Sequence, residues 1–275
     1  MFRIIVGLLL TCSTAMSQTI HPQWSTASDS IILYDRDGTA ADILVMDPET
    51  GETRTLLGNG NYNANPSWSP DGTKVSFSSA RPDMNGTWQL YVLDVDTLES
   101  TAYTNDAARK MHTAWSPDGM WISFVKMADG NSDVYIVSAD GHTERQLTFS
   151  PEREFHPKWS ANSQRLMFDG GAEDARQICS VDRHGGPTTC IEPAEDWGVS
   201  TPSSSPDGKT IAFACRDADG GNICLMNPDG SEQRMIVDVA AGFDAGAPVF
   251  SPDGSRIAFH QSTTDSYEII ILEAP

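Results

Sequence analysis

Three histidines occupy equivalent places in a repeat that runs through this 275-residue chain. The anchors Trp24, Trp68, Trp115, Trp159, Ser204 and Phe250 recur at spacings of 44, 47, 44, 45 and 46 residues. Three residues before each anchor stand His21, Asn65, His112, His156, Thr201 and Ala247. Imidazoles from several repeats converging on one point would bind Zn2+ or Mn2+. None of the six positions offers a carboxylate. The plainer reading is structural: a His before Pro recurs in this repeat and bonds to the backbone of a neighbouring blade. The segments leading into these positions carry Arg109, Lys110, Arg153, Phe155 and Trp197. Aromatics beside cations suit a ligand or protein surface. Two acidic loops, 35–42 and 217–222, lack the ligand spacing and terminal Glu of an EF-hand. They read as solvated hairpin loops rather than Ca2+ sites.

The elements that must position these residues follow from the same register. Ser-Pro-Asp-Gly occurs four times, starting at Ser69, Ser116, Ser205 and Ser251. Pro presets φ in such a turn, and Gly is favoured at its fourth position. Seven residues after each anchor stand Ile31, Val75, Ile122, Leu166, Ile211 and Ile257. Nine after it stand Leu33, Phe77, Phe124, Phe168, Phe213 and Phe259. A step of two is strand periodicity, so each pair shares one strand face. A third apolar strand follows in each copy, and a fourth in the first five, as at 145–149. Four antiparallel strands per unit of about 45 residues is the pattern of a propeller blade. The expectation is an all-β, six-bladed β-propeller of four-stranded antiparallel blades over 18–275, with the last blade incomplete. If the first strand of each blade lines the axis, the six positions form a ring at one mouth of the tunnel. Blades 1, 3 and 4 are not all adjacent, which puts His21 partly across that ring.

Lys plus Arg number 18 and Asp plus Glu 38, a net charge of −20. That balance excludes non-specific nucleic-acid binding, which needs clustered cations. Residues 1–17 read as an export signal: Arg3, an apolar run from Ile4 to Leu10, then Ala15 and Ser17 ahead of a cleavage point. The alternative is lipid attachment at Cys12. No run reaches the roughly 20 apolar residues of a transmembrane helix. A periplasmic or secreted protein follows, and its four remaining cysteines are expected to pair. Cys179 and Cys190 lie symmetrically about the turn at 183–186, and Cys215 and Cys224 about Asp219-Gly220. Both pairs are thus cross-strand neighbours. Cys179 with Cys224 would span sheets about 10 Å apart, too far for a disulfide. The expected bonds are Cys179–Cys190 and Cys215–Cys224.

The turn Trp115-Ser-Pro-Asp-Gly119, with Ile122-Ser-Phe124 and Val134-Tyr-Ile-Val137, resembles the repeat of the TolB-like propellers. The resemblance covers 21–275 and implies the propeller fold. It also implies a role in the cell envelope, since TolB is a periplasmic protein whose propeller binds the lipoprotein Pal. The α/β domain that precedes that propeller has no counterpart here. Oligogalacturonate lyases carry a related repeat and use His ligands to Mn2+ at the tunnel mouth. Likeness to them would make Arg109, Lys110 and Arg153 contacts for uronate carboxylates. Gly-x-Ser-x-Gly, HExxH, P-loop and Gly-x-Gly-x-x-Gly motifs are missing. The first expectation is therefore a non-catalytic exported propeller, without a cofactor, that binds a cell-envelope protein or small ligand at the mouth. Its binding residues would be His21, Asn65, Arg109, His112, Arg153, Phe155, His156 and Trp197. The second is a metal-dependent lyase acting on acidic oligosaccharides, with Mn2+ or Zn2+ on His21, His112 and His156; Ca2+ would fall to the two acidic loops instead.

Overall fold

A computed structural model describes residues 19–37, 40–172, 175–263 and 267–275. The export signal over 1–17 and Cys12 lie outside the described residues. Blade 1 comprises β1 (Thr19–Trp24), β2 (Ile31–Asp37), β3 (Ala40–Met46) and β4 (Thr53–Leu57). Blade 2 comprises β5 (Tyr62–Trp68), β6 (Lys74–Ala80), β7 (Trp88–Asp94) and β8 (Ser100–Ala102). Blade 3 comprises β9 (Arg109–Trp115), β10 (Trp121–Ala128), β11 (Asn131–Ser138) and β12 (Glu144–Gln146). Blade 4 comprises β13 (Phe155–Trp159), β14 (Arg165–Gly170), β15 (Gln177–Asp182) and β16 (Thr189–Ile191). Blade 5 comprises β17 (Gly198–Ser204), β18 (Ile211–Arg216), β19 (Gly221–Met226) and β20 (Arg234–Val237). Blade 6 comprises β21 (Asp244–Phe250), β22 (Arg256–Ser262) and β23 (Tyr267–Glu273). Among the described residues β23 pairs with β22 alone, so the sixth blade has three strands. The strand expected at 145–149 ends at Gln146, and Phe149 leaves the sheet for solvent.

Each blade is an antiparallel meander, and the first strands contact one another around the ring until β1 meets β21. The turn chemistry repeats. Ser69 Oγ donates to Asp71 Oδ1 at 2.6 Å, and Gly72 N donates to Ser69 O at 2.9 Å. Gly72 holds φ at 72°, a left-handed value that glycine adopts without a Cβ clash. Ser116, Ser205 and Ser251 make the same bond to Asp118, Asp207 and Asp253. The two apolar columns are the core, none of their residues more than 5% exposed.

The anchor aromatics fill the gap to the preceding blade. Trp68 packs with Ile32, Ile43 and Val45 of blade 1, and Trp115 with Leu90 and Val92 of blade 2. Trp159 packs with Val134 and Ile136 of blade 3, and Phe250 with Ala212 and Leu225 of blade 5. Trp24 closes the ring on Ala258 and Ile269 of blade 6.

Both disulfides form as expected. Cys179 sits directly opposite Cys190, with Cα atoms 4.0 Å apart. The register expected for the second pair is corrected: Cys215 faces Asn222, and Cys224 faces Phe213. The bond runs diagonally over 5.8 Å between Cα atoms. Asp217 causes the difference. Its Oδ1 accepts from Asp219 N and Gly220 N at 2.9 and 3.1 Å, closing a turn centred one residue earlier. Each bond closes a short loop, so replacing either pair by alanine is expected to cost about 3 kcal/mol. The check is the drop in urea midpoint of each double variant under oxidising conditions.

Candidate metal centre

The ring positions share an unusual backbone. His21, Asn65, His112, His156, Thr201 and Ala247 have φ of 62°, 52°, 56°, 52°, 50° and 50°. Side-chain-bearing residues rarely adopt this region, and a following proline restricts them further. Pro follows five of the six, and Thr113 follows His112. In every blade the first strand slips register against the second at this point, the mark of a β-bulge. A bulge turns one side chain out of strand alternation, here toward the axis.

Two ring side chains serve as ties between blades. Asn65 Oδ1 accepts from His112 N at 3.3 Å, and Thr201 Oγ1 accepts from Ala247 N at 3.2 Å. The imidazoles instead meet on the axis. The rings of His112 and His156 are 4.3 Å apart, those of His21 and His156 5.2 Å, and those of His21 and His112 5.8 Å. One ligand nitrogen from each lies within 4.8 Å of the others. Nitrogens bound to one Zn2+ stand roughly 3.4 Å apart, so small side-chain rotations bring this set onto an ion. Desolvation, and then the neighbouring imidazoles, hold His21 and His112 well below the usual histidine range. They are neutral, as metal ligands must be.

His156 is oriented from behind. Its Nδ1 lies 2.7 Å from Asp169 Oδ1. Asp169 is 2% exposed, and it also accepts from Arg176 Nη1 at 3.0 Å and Thr201 N at 3.1 Å. A carboxylate on Nδ1–H leaves the Nε2 lone pair free to face the other rings, as in carboxylate–histidine–metal triads. Phe155 borders the cluster, 6.1 Å from the rings of both His112 and His156, and Arg176 stacks on it at 5.1 Å. Lys158 lines the same axial cavity, and burial pushes its amine down to about 8. The cavity holds about 30 Å³, room for an ion or for one or two waters. Any larger ligand sits outside on the mouth. Three imidazoles without a carboxylate fit Zn2+ and similar borderline ions, and they do not fit Ca2+, which takes oxygen ligands.

Other expected residues are placed elsewhere. Lys110 is withdrawn from the surface: it is 0% exposed, its ammonium held by Asp106 and Ala108 O, so it contacts no ligand. Arg109 stacks on Trp88 at 5.0 Å, and the exposed Arg153 donates to Gly130 O at 3.3 Å. Trp197 is partly buried against the blade 5 core near Cys215.

Asp169 and His260 escaped the sequence reasoning. Both stand ten residues after their anchors, next to the apolar pair. The signal was available, since an ionisable residue there breaks an otherwise apolar strand. The His260 ring lies 6.4 Å from that of His21, and its Nδ1 is buried without a hydrogen-bond partner. Burial pushes its pKa down to about 4 from an ordinary 6.5. The unfolded chain takes up this proton below pH 6.5, and the native state only below about 4. Its contribution is thus present above pH 6.5 and lost as pH falls toward 4, up to about 3 kcal/mol. A His260→Gln variant is expected to flatten the stability curve over that interval, measured by urea unfolding at a series of pH values.

Comparison with known proteins follows the architecture. The family model described as the TolB beta propeller domain matches residues 9–244. A protein TolB homolog of Chlorobium luteolum is 33% identical over 153 residues, which are 54% of this chain and 33% of that protein. The chain thus aligns with only a third of that relative's length. TolB from Acinetobacter baumannii superposes with a TM-score of 0.72 at 21% identity, over 85% of this chain and 57% of that one. An oligogalacturonate lyase in complex with manganese superposes with a TM-score of 0.65 at 17% identity, over 92% of this chain and 76% of that one. At such identities the structural likeness carries the fold alone.

Proposed function

The chain belongs to the TolB β-propeller domain family, and on that premise we propose that it is an exported binding propeller whose recognition site is the axial mouth. His21, His112 and His156 hold one divalent transition-metal ion there. The observation that carries this reading is the convergence of three imidazoles from blades 1, 3 and 4 on one point. A bound ion supplies open coordination positions and Lewis acidity toward the mouth. Phe155 and Arg176 border it, and they suit an envelope protein or small ligand that presents an oxygen or nitrogen donor. Two disulfides support an oxidising compartment. No helix among the described residues is long and apolar enough to cross a membrane. The test is titration of metal-stripped protein with Zn2+, Mn2+ and Ca2+. The expected result is about one Zn2+ per chain, weaker Mn2+ and no Ca2+. Absence of stoichiometric binding by any of the three would overturn the reading.

A second reading keeps the same centre and adds catalysis on acidic oligosaccharides. The all-imidazole axial site favours it, together with fold likeness to the manganese-bound lyase. Arg109 and Arg153 remain to meet uronate carboxylates, whereas Lys110 does not. Metal-loaded protein incubated with oligogalacturonate decides it. Appearance of an unsaturated product by ultraviolet absorbance selects the lyase, and no product leaves the binding role.

A further inference from the structure

The anchor column breaks at one blade. Trp24, Trp68, Trp115, Trp159 and Phe250 each fill the gap to the preceding blade, but blade 5 carries Ser204. A cavity of about 450 Å³ opens at that place, between blades 4 and 5. Met167, Ile178, Ile191 and Ile211 form its apolar wall, and Ser204 lies on it. Trp197 packs on the same core cluster but does not line the cavity. The volume falls within the usual range for small-molecule sites.

Arg165 adds a chemical preference. It stands six residues after the anchor of blade 4, as Arg256 does in blade 6. Arg256 stacks on Trp24 of the following blade, 4.7 Å from its ring centroid. The equivalent aromatic for Arg165 would sit at position 204. Arg165 instead lines the cavity and donates through Nη2 to Ser180 Oγ at 2.8 Å and to Ser180 O at 3.3 Å. The slot therefore stands where five blades place an aromatic ring, and it is lined by an aliphatic wall and a guanidinium able to pair with a ring face.

We propose that the gap between blades 4 and 5 is a binding site for a small, planar, free aromatic molecule of about the size of indole. It lies beside the turns at 160–162 and 206–208, at the far end of the first strands from the histidines. It is separate from the metal centre and does not depend on it.

The test uses indole itself and the full-length protein. Indole is expected to bind saturably at one per chain, with Kd below about 1 mM. Its chemical-shift changes should centre on the methyl groups of Met167, Ile178, Ile191 and Ile211. Ser204→Trp fills the slot and should weaken indole binding at least tenfold while raising the melting temperature. Arg165→Ala should weaken it several-fold. Binding that does not saturate by several millimolar would overturn the site, as would shifts confined to other residues. Wild-type affinity retained in Ser204→Trp would do the same. If Ser204→Trp fails to fold, the location of the wild-type shifts decides alone.

Discussion

A variant carrying both His112→Ala and His156→Ala is expected to lose Zn2+ binding, its affinity falling by roughly 10³-fold or more. Two of three ligands go, and His21 alone cannot compete for a transition ion. The fold should survive the change. Neither imidazole ties one blade to the next, unlike Asn65 and Thr201. Alanine also tolerates the ring backbone, for Ala247 already occupies it with φ of 50°. The His156–Asp169 bond is lost, but Asp169 keeps Arg176 and Thr201 N, so loss of metal with only a modest drop in melting temperature in metal-free buffer would report on the site. Asp169→Asn is the graded counterpart. It keeps the shape behind His156 but removes the charge that fixes its tautomer, at an expected cost of about 10–100-fold in affinity. Equal metal content in wild type and double variant would place any bound ion elsewhere.

Phe124→Ala is expected to cost about 3–5 kcal/mol. Phe124 is fully buried and packs with Leu90, Trp115, Ile122 and Val137, joining blades 2 and 3. A cavity there strips contacts from two blades at once, and strand backbones pinned by ladder hydrogen bonds cannot collapse into it. Phe149→Ala is the control. It is 77% exposed, and its removal should shift stability by less than about 0.5 kcal/mol. Urea unfolding of both variants provides the comparison. Similar losses in the two would mean that the column nine residues past each anchor is not the core.

The fold was legible because each blade repeats the same local instructions. The Ser-Pro-Asp-Gly turn, the apolar pair and the third strand set strand number and register without reference to distant contacts. The pairing of Cys179 with Cys190 followed from that register. The diagonal of Cys215–Cys224 did not, because an Asp217 side chain tightened the turn, and side-chain capping leaves little trace in a spacing argument. The three imidazoles were legible as equivalent positions. Their approach to within 4.8 Å of one another was not, since it depends on a left-handed bulge in three separate blades. Asp169 and His260 were missed because they lie on the second strand, outside the repeating ring. Lys110 was misplaced because its sequence neighbours Arg109 and Met111 gave no sign that Asp106 would fold back to enclose it.

In the proposed centre, His21, His112 and His156 hold one ion on the propeller axis. The most direct measurement is anomalous diffraction at the zinc absorption edge from crystals soaked in Zn2+. The expected result is a single strong peak on the axis, about 2.0–2.1 Å from one nitrogen of each of the three imidazoles. An empty axis in fully soaked crystals, or a peak bound only by surface carboxylates, would contradict it.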